Sequence, residues 1–173
     1  MRHETGRMIA SCAESDFPEI LEIINDAASA YRGVIPADRW HEPYMPEAEL
    51  RGELAAGVAF WGYRGDSRLE GVMGLQRVAD VDLIRHAYTR SAAQGRGIGT
   101  ALLEKLKGES GRPLLVGTWK AATWAIRFYE KRGFVLTSET EKARLLRRYW
   151  RVPERQIEES AVLQCSSRSA PQP

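Results

Sequence analysis

The sequence predicts an α/β fold: a mixed, mostly antiparallel sheet of six to seven strands, with helices on both faces and one parallel pair. Three observations predict it. Runs with a two-residue period occupy residues 58–64, 69–78 and 81–89, separated by Gly65-Asp66 and Ala79-Asp80, which is the pattern of an antiparallel meander. A glycine-rich segment then stands between the third run and a helical pattern carrying Ile98, Ala101, Leu102 and Leu106. The period returns to that of a strand at residues 113–118, so the unit reads β-α-β, with parallel strands and a right-handed crossover.

The remaining elements follow in order. A strand at residues 8–12 leads through Glu14, Ser15 and Asp16 into a helix whose stripe is Phe17, Ile20, Leu21, Ile24 and Ala28. Residues 31–46 place Gly33, Pro36, Pro43 and Pro46 among Arg39, Trp40, His41 and Tyr44, a composition that opposes a long regular element. A short helix at residues 47–56 stops at Gly57. Beyond the crossover unit, a helix at residues 120–132 puts Trp124, Ala125 and Phe128 on its buried side, with Gly133 as its C-terminal cap. Residues 134–136 begin a strand. Ser138 and Glu141 make the S-x-x-E box of a helix that carries Leu145, Leu146 and Tyr149 and ends at Pro153, and residues 157–163 form the last strand. One domain at residues 8–163 results, with flexible tails at residues 1–7 and at the Ser- and Pro-rich residues 164–173. Met8 opens the first apolar segment, so the start is read equally at Met1 or Met8.

Composition narrows the function classes. A length of 173 residues suits one core, and 43% hydrophobic with 28% charged residues is globular. The net charge of +2 argues against nucleic acid or an anionic membrane as a bulk electrostatic partner. Cys12 and Cys165 are the only cysteines, which suggests neither a disulfide framework nor a zinc site and points to the reduced cytosol. No apolar run approaches the roughly 20 residues of a membrane span, and residues 1–7 are polar with no signal-peptide core behind them.

The segment Gln94-Gly95-Arg96-Gly97-Ile98-Gly99-Thr100 carries the chemistry, because it lies where a strand ends and a helix begins. Glycines there let the backbone approach a diphosphate, and the unpaired N–H groups of the first turn face it with the helix dipole behind them. A dinucleotide fingerprint would follow the first strand and have an acid about 20 residues on. Here the segment follows the fourth strand, and the next one ends in Val116-Gly117-Thr118 without an acid. The P-loop pattern is absent, and tight helix packing is the remaining alternative.

A second motif stands about thirty residues further on. The first segment matches the Q/R-x-x-G-x-G/A signature of the Gcn5-related N-acetyltransferase (GNAT) superfamily, and Ala125-Ile126-Arg127-Phe128-Tyr129-Glu130-Lys131-Arg132-Gly133-Phe134 resembles that superfamily's second signature. The order of elements is similar over nearly the whole chain. The resemblance implies the GNAT fold, with fourth and fifth strands splayed around a slot, and an enzyme that moves an acetyl group from acetyl-CoA to a primary amine by direct attack on the thioester. It further implies that Thr89 bonds the pantetheine arm through its backbone. Gln94, Gly95, Arg96, Gly97, Ile98, Gly99 and Thr100 would hold the diphosphate, and Tyr129 would protonate the departing thiolate. Relatives often carry Asn where this chain has Ala122, a departure bracketed by Trp119 and Trp124. Dimers are common among them, so a homodimer belongs to the same expectation.

Several readings stay open at this stage. Tyr129 is a proton donor or a packing residue. His86 and Tyr88 share a strand face opposite Ala87, which makes His86 a candidate base; Asp82 is another, and a bulge before Thr89 would change which of them reaches the slot. The aromatic and basic residues between 31 and 46 either recognise the acceptor or lie idle. The alternative to an enzyme is a non-catalytic acyl-CoA-binding or protein-interaction module on the same fold; a nucleotide-dependent oxidoreductase is more distant. No metal is required.

Overall fold

In the computed structural model, which describes residues 8–166, the strands follow the order β1-β2-β3-β4-β5-β7-β6 in a single sheet. They are β1 (Met8–Ser11), β2 (Ala59–Arg64), β3 (Leu69–Val78), β4 (Val81–Thr89), β5 (Leu114–Trp119), β6 (Val135–Leu136) and β7 (Ser160–Cys165). Only β4 and β5 pair in parallel, and every other neighbouring pair is antiparallel. The β3–β4 hairpin closes through the pair Val78 and Val81, with Ala79 at φ 50°, in the left-handed region that a two-residue hairpin turn demands.

Helices α3 (Ile98–Glu109) and α4 (Thr123–Glu130) cover one face of the sheet. Ile98, Leu102, Leu103 and Leu106 pack there on Met73, Ile84, Leu114, Val116 and Leu163. Side chains alternate along the strands, so Val72 and Leu115 point to the opposite face. Val72 meets Ile20, Ile23 and Ile24 of α1 (Phe17–Ala27) and Leu50 of α2 (Glu47–Ala55). Leu115 meets Leu145 and Leu146 of α5 (Glu139–Tyr149) and Ile157 of α6 (Glu154–Glu158). Each such side chain contributes about 1.5–3 kcal/mol by leaving water. Gly71 sets how close α3 comes, because a Cβ on that residue would lie 2.6 Å from the Ile98 side chain.

The sheet opens in its middle. Pairing between β4 and β5 runs only through Asp82–Leu114, Leu83–Leu115 and Ile84–Val116, although both strands continue beyond. The cause lies in β4. Between the pairs Gly74–Arg85 and Val72–Tyr88, two residues, His86 and Ala87, oppose the single Met73, and His86 has φ 53°. A bulge of this kind sharpens the local twist and turns the strand end aside. Holding a non-glycine residue there costs on the order of 1–3 kcal/mol, strain that persists only where surrounding contacts impose it.

Several boundaries differ from the sequence reading. The helix expected at residues 120–132 is shorter, and Trp124 is 45% exposed rather than buried, because Ile126, Phe128 and Tyr129 take the core side of α4. Residues 154–158, of which 157 and 158 were read as the start of the last strand, form the extra turn α6 on Pro153. β7 consequently starts later and includes Gln164 and Cys165, which were assigned to the tail but pair with Leu115 and Leu114. The tail residues 1–7 and 167–173 lie outside the described residues. Ser138 caps α5 as expected, its hydroxyl accepting from the Glu141 N–H at 3.2 Å.

Candidate active site

β4 runs into a short 3₁₀ turn (Ser91–Ala93), Gln94 is extended, and Gly95 and Gly97 adopt φ 79° and 77°. Gly97 is the N-cap of α3, and its carbonyl accepts the first intrahelical bond, from the Ala101 N–H at 3.0 Å. The N–H groups of Ile98, Gly99 and Thr100 therefore have no acceptor within the helix. No side chain caps this end and no acidic residue lies in the first turn, which keeps the terminus electropositive. A Cβ on Gly95 or Gly97 would meet nothing within 4 Å, so these two glycines serve the backbone conformation and not helix packing. Gly99 differs: a Cβ there would press on the Phe128 ring at 3.3 Å.

Thr100 is fixed from across the groove. Its Oγ1 accepts from Arg132 Nε at 2.8 Å and from Arg132 Nη2, while Nη1 of the same guanidinium donates to the Phe128 carbonyl and its carbon lies 4.0 Å from the centre of the Phe128 ring. With both lone pairs engaged, the Thr100 hydroxyl is left to donate its own hydrogen. Arg96 is exposed, 3.6 Å from the Glu70 carboxylate, and the Ile98 side chain is buried beneath Gly71.

Where β4 and β5 part, a cavity of about 370 Å³ opens. It brings together His86, Thr89, Gln94, Gly99 and Tyr129; Gly95, Arg96, Gly97, Ile98 and Thr100 adjoin it along the chain but do not line it. Tyr129 is 5% exposed, edge-on to Phe128 and Phe134 at centroid distances of 5.1 and 5.3 Å. Burial, with a smaller contribution from Tyr31, pushes the Tyr129 hydroxyl far above the ordinary phenol value, so it is neutral throughout the physiological range. Ala122, at the position of the relatives' Asn, is fully buried at the N-cap of α4.

His86 keeps to the face of Tyr88, as the alternation implied, stacking on Phe60 at 6.2 Å. Its Nε2 lies 2.9 Å from Glu53 Oε2, and Arg85 Nη2 donates to both oxygens of that carboxylate at 3.0 Å. Burial alone would raise the Glu53 pKa, but the His86 hydrogen bond and the charges of His86 and Arg85 outweigh it and hold Glu53 below its ordinary value. An ionised carboxylate only accepts, so the nitrogen that faces it, Nε2, carries a hydrogen. Glu53 escaped the sequence reading because α2 looks like an ordinary solvated helix, and its partner lies 33 residues away. Asp82, the rival base, does not line the cavity. It is 2% exposed at the other end of β4, where Ser110 Oγ donates to it at 2.6 Å.

Arg90 was also missed. Buried just before the glycine loop, it donates to the Leu69 carbonyl at 2.6 Å, to Glu22 at 2.5 Å and to Glu19 at 3.3 Å, while the Ser91 N–H bonds Asp26 at 2.7 Å. These contacts tie the loop to α1. No signal in the sequence singles out this arginine from the others.

Comparison with known proteins agrees with this geometry. Residues 25–147 match the model of the family described as "Acetyltransferase (GNAT) domain". None of the curated proteins matches the chain. Among solved structures, a GNAT-family acetyltransferase from Staphylococcus aureus Mu50 superposes with a TM-score of 0.71 at 16% identity, over 94% of this chain and 100% of its own. The PaiA N-acetyltransferase of Thermoplasma acidophilum, in complex with coenzyme A, gives 0.68 at 18% identity over 94% and 99%. The protein yncA of Salmonella typhimurium, with its cofactor acetyl-CoA, gives 0.65 at 18% identity over 98% of both chains. At such identities the structures establish the fold, and the family match spans most of the sequence: the chain belongs to the GNAT acetyltransferase family.

Proposed function

We propose that the chain is an acetyl-CoA-dependent N-acetyltransferase that acetylates a primary amine by direct attack on the thioester. The observation that carries this reading is the uncapped N-terminus of α3 on two left-handed glycines, opening beside a cavity that passes through the parted β4 and β5. Bound acetyl-CoA supplies the electrophile, a thioester carbonyl. The N–H groups of residues 95–100 and the forced donor Thr100 hold the diphosphate, and the free backbone of β4 near Thr89 binds the pantetheine arm. Backbone N–H groups there polarise the carbonyl. His86 Nδ1 takes the proton of the attacking amine, with Glu53 stabilising the resulting imidazolium. As the new N–C bond forms and the C–S bond breaks, Tyr129 donates its hydrogen toward the sulfur.

Coenzyme A and acetyl-CoA in the neighbouring structures support the choice of donor. Cys12 and Cys165 are both free thiols, which suits a cytoplasmic protein. The test is thiol release from acetyl-CoA across a panel of amines. Turnover sustains the proposal. Binding without turnover selects the other reading, a non-catalytic acyl-CoA module, which Ala122 favours because it offers no side-chain contact where relatives carry Asn.

A further inference from the structure

Elements from both faces of the sheet line the cavity. From one face, α3 and α4 bring Gly99, Trp124 and Phe128; from the other, α1 and the turn after it bring Ala27, Ala30 and Tyr31. Tyr31 is the centre of an aromatic row. Trp124 lies 5.7 Å from it, Tyr44 6.1 Å, and Tyr88 meets it edge-on at 6.3 Å; Tyr44 in turn carries Trp40 at 5.7 Å. This wall is built, because the Asn25 side chain bonds both the N–H and the carbonyl of Met45, at 2.8 and 3.0 Å, and so closes the segment that holds Tyr31 and Tyr44.

Charge is missing from it. Among the described residues, no Asp, Glu, Lys or Arg side chain lines the cavity. Glu53, behind His86, is engaged by Arg85. Arg32 lies over the Trp40 ring and pairs with Glu42. Burial raises the hydroxyl pKa of Tyr31, Tyr88 and Tyr129, so the phenols around the cavity are neutral.

On the transferase reading above, we infer that the acceptor is a small primary monoamine carried on an aromatic ring, with no second charge. The ring stacks on Trp124 and Tyr31, the members of that row that line the cavity with Tyr88, while Tyr44 backs Tyr31. Ring faces steady the ammonium on entry, and desolvation then eases its loss of a proton, which yields the neutral nucleophile. A polyamine or an amino acid would strip water from a second charge against a wall that offers it no partner. A lysine side chain brings no ring to stack.

The test measures thiol release by the full chain with 2-phenylethylamine, ethylamine, spermidine, alanine and a lysine peptide. The expected kcat/KM for 2-phenylethylamine exceeds each of the others by about tenfold or more. Trp124→Ala, at a half-exposed position whose loss spares the fold, lowers the ratio of 2-phenylethylamine to ethylamine by about tenfold, and Trp124→Phe restores most of it. A preference for spermidine, alanine or the peptide, or an unchanged ratio in Trp124→Ala, overturns the inference and leaves the transferase standing. If no amine releases thiol, the transferase reading fails, and calorimetry on the acetyl-CoA-loaded chain decides the inference alone. Binding of 2-phenylethylamine about tenfold tighter than spermidine and ethylamine then sustains it, and equal or absent binding overturns it.

Discussion

Glu53 Oε2 and His86 Nε2 stand 2.9 Å apart and join α2 to the bulge of β4, the point at which the sheet opens. The contact places a hydrogen on Nε2 and engages the carboxylate, which reaches the cavity only through the imidazole. If Nδ1 takes the proton, His86→Gln removes the acidic limb of the kcat/KM profile against pH and leaves the Kd for acetyl-CoA unchanged. Acceptors of different pKa are needed, since the amine titrates as well. A limb that survives the substitution shows that another group or a water chain is the base.

The same pair links stability to pH. Glu53 has its folded pKa held below the ordinary 4.5, so its contribution is complete above about pH 4.5 and is lost as pH falls through the lower folded value. Glu53→Gln is expected to cost about 1–2 kcal/mol at pH 7. Denaturant titrations of both proteins at pH 7, 5, 4 and 3 check this: the gap closes in the acid range, and a gap independent of pH contradicts the ion pair.

If Tyr129 protonates the departing sulfur, it gives a kinetic signature. Tyr129→Phe preserves the ring packing against Phe128 and Phe134 and removes the hydroxyl, so kcat is expected to fall by roughly ten- to a thousandfold, with acetyl-CoA affinity little changed. Because burial pushes the phenol above its ordinary 10, the parent enzyme shows no alkaline limb from Tyr129 below pH 10. Equal rates in mutant and parent return this side chain to a packing role.

Gly97 separates charge from conformation. At φ 77° the left-handed backbone tolerates Asn better than most residues, and Asp is nearly isosteric with Asn. If the N-terminus of α3 holds the diphosphate, acetyl-CoA raises the Tm of the parent, and of Gly97→Asn in part, but not of Gly97→Asp, which sets a carboxylate at that terminus. Identical shifts in the two variants place the diphosphate elsewhere.

What the sequence disclosed was local. The extents of β3 and β4 and the loop from Gln94 to α3 follow from alternation and from glycines whose dihedrals are their own property, so they were legible. Trp124 was misplaced because apolar character alone says "inside", whereas α4 turns Tyr129 inward and leaves the indole to the cavity mouth. Glu53, Arg90 and Arg132 acquire their roles from partners 33, 68 and 32 residues away. Nothing within a helical window distinguishes such a charge from a solvated one.

Arg90 has a consequence for which states the chain visits. The segment before the glycine loop cannot swing out alone, because it must either carry α1 with it or separate a buried guanidinium from Glu19 and Glu22. Discounted for the exposure of the two carboxylates, that separation costs on the order of 2 kcal/mol. Such a cost holds the detached arrangement to roughly one molecule in thirty. Ala27 and Ala30 therefore keep nearly the same distance from the loop in almost every molecule, so the span between the aromatic row around Tyr31 and the glycine loop is a constant of the protein.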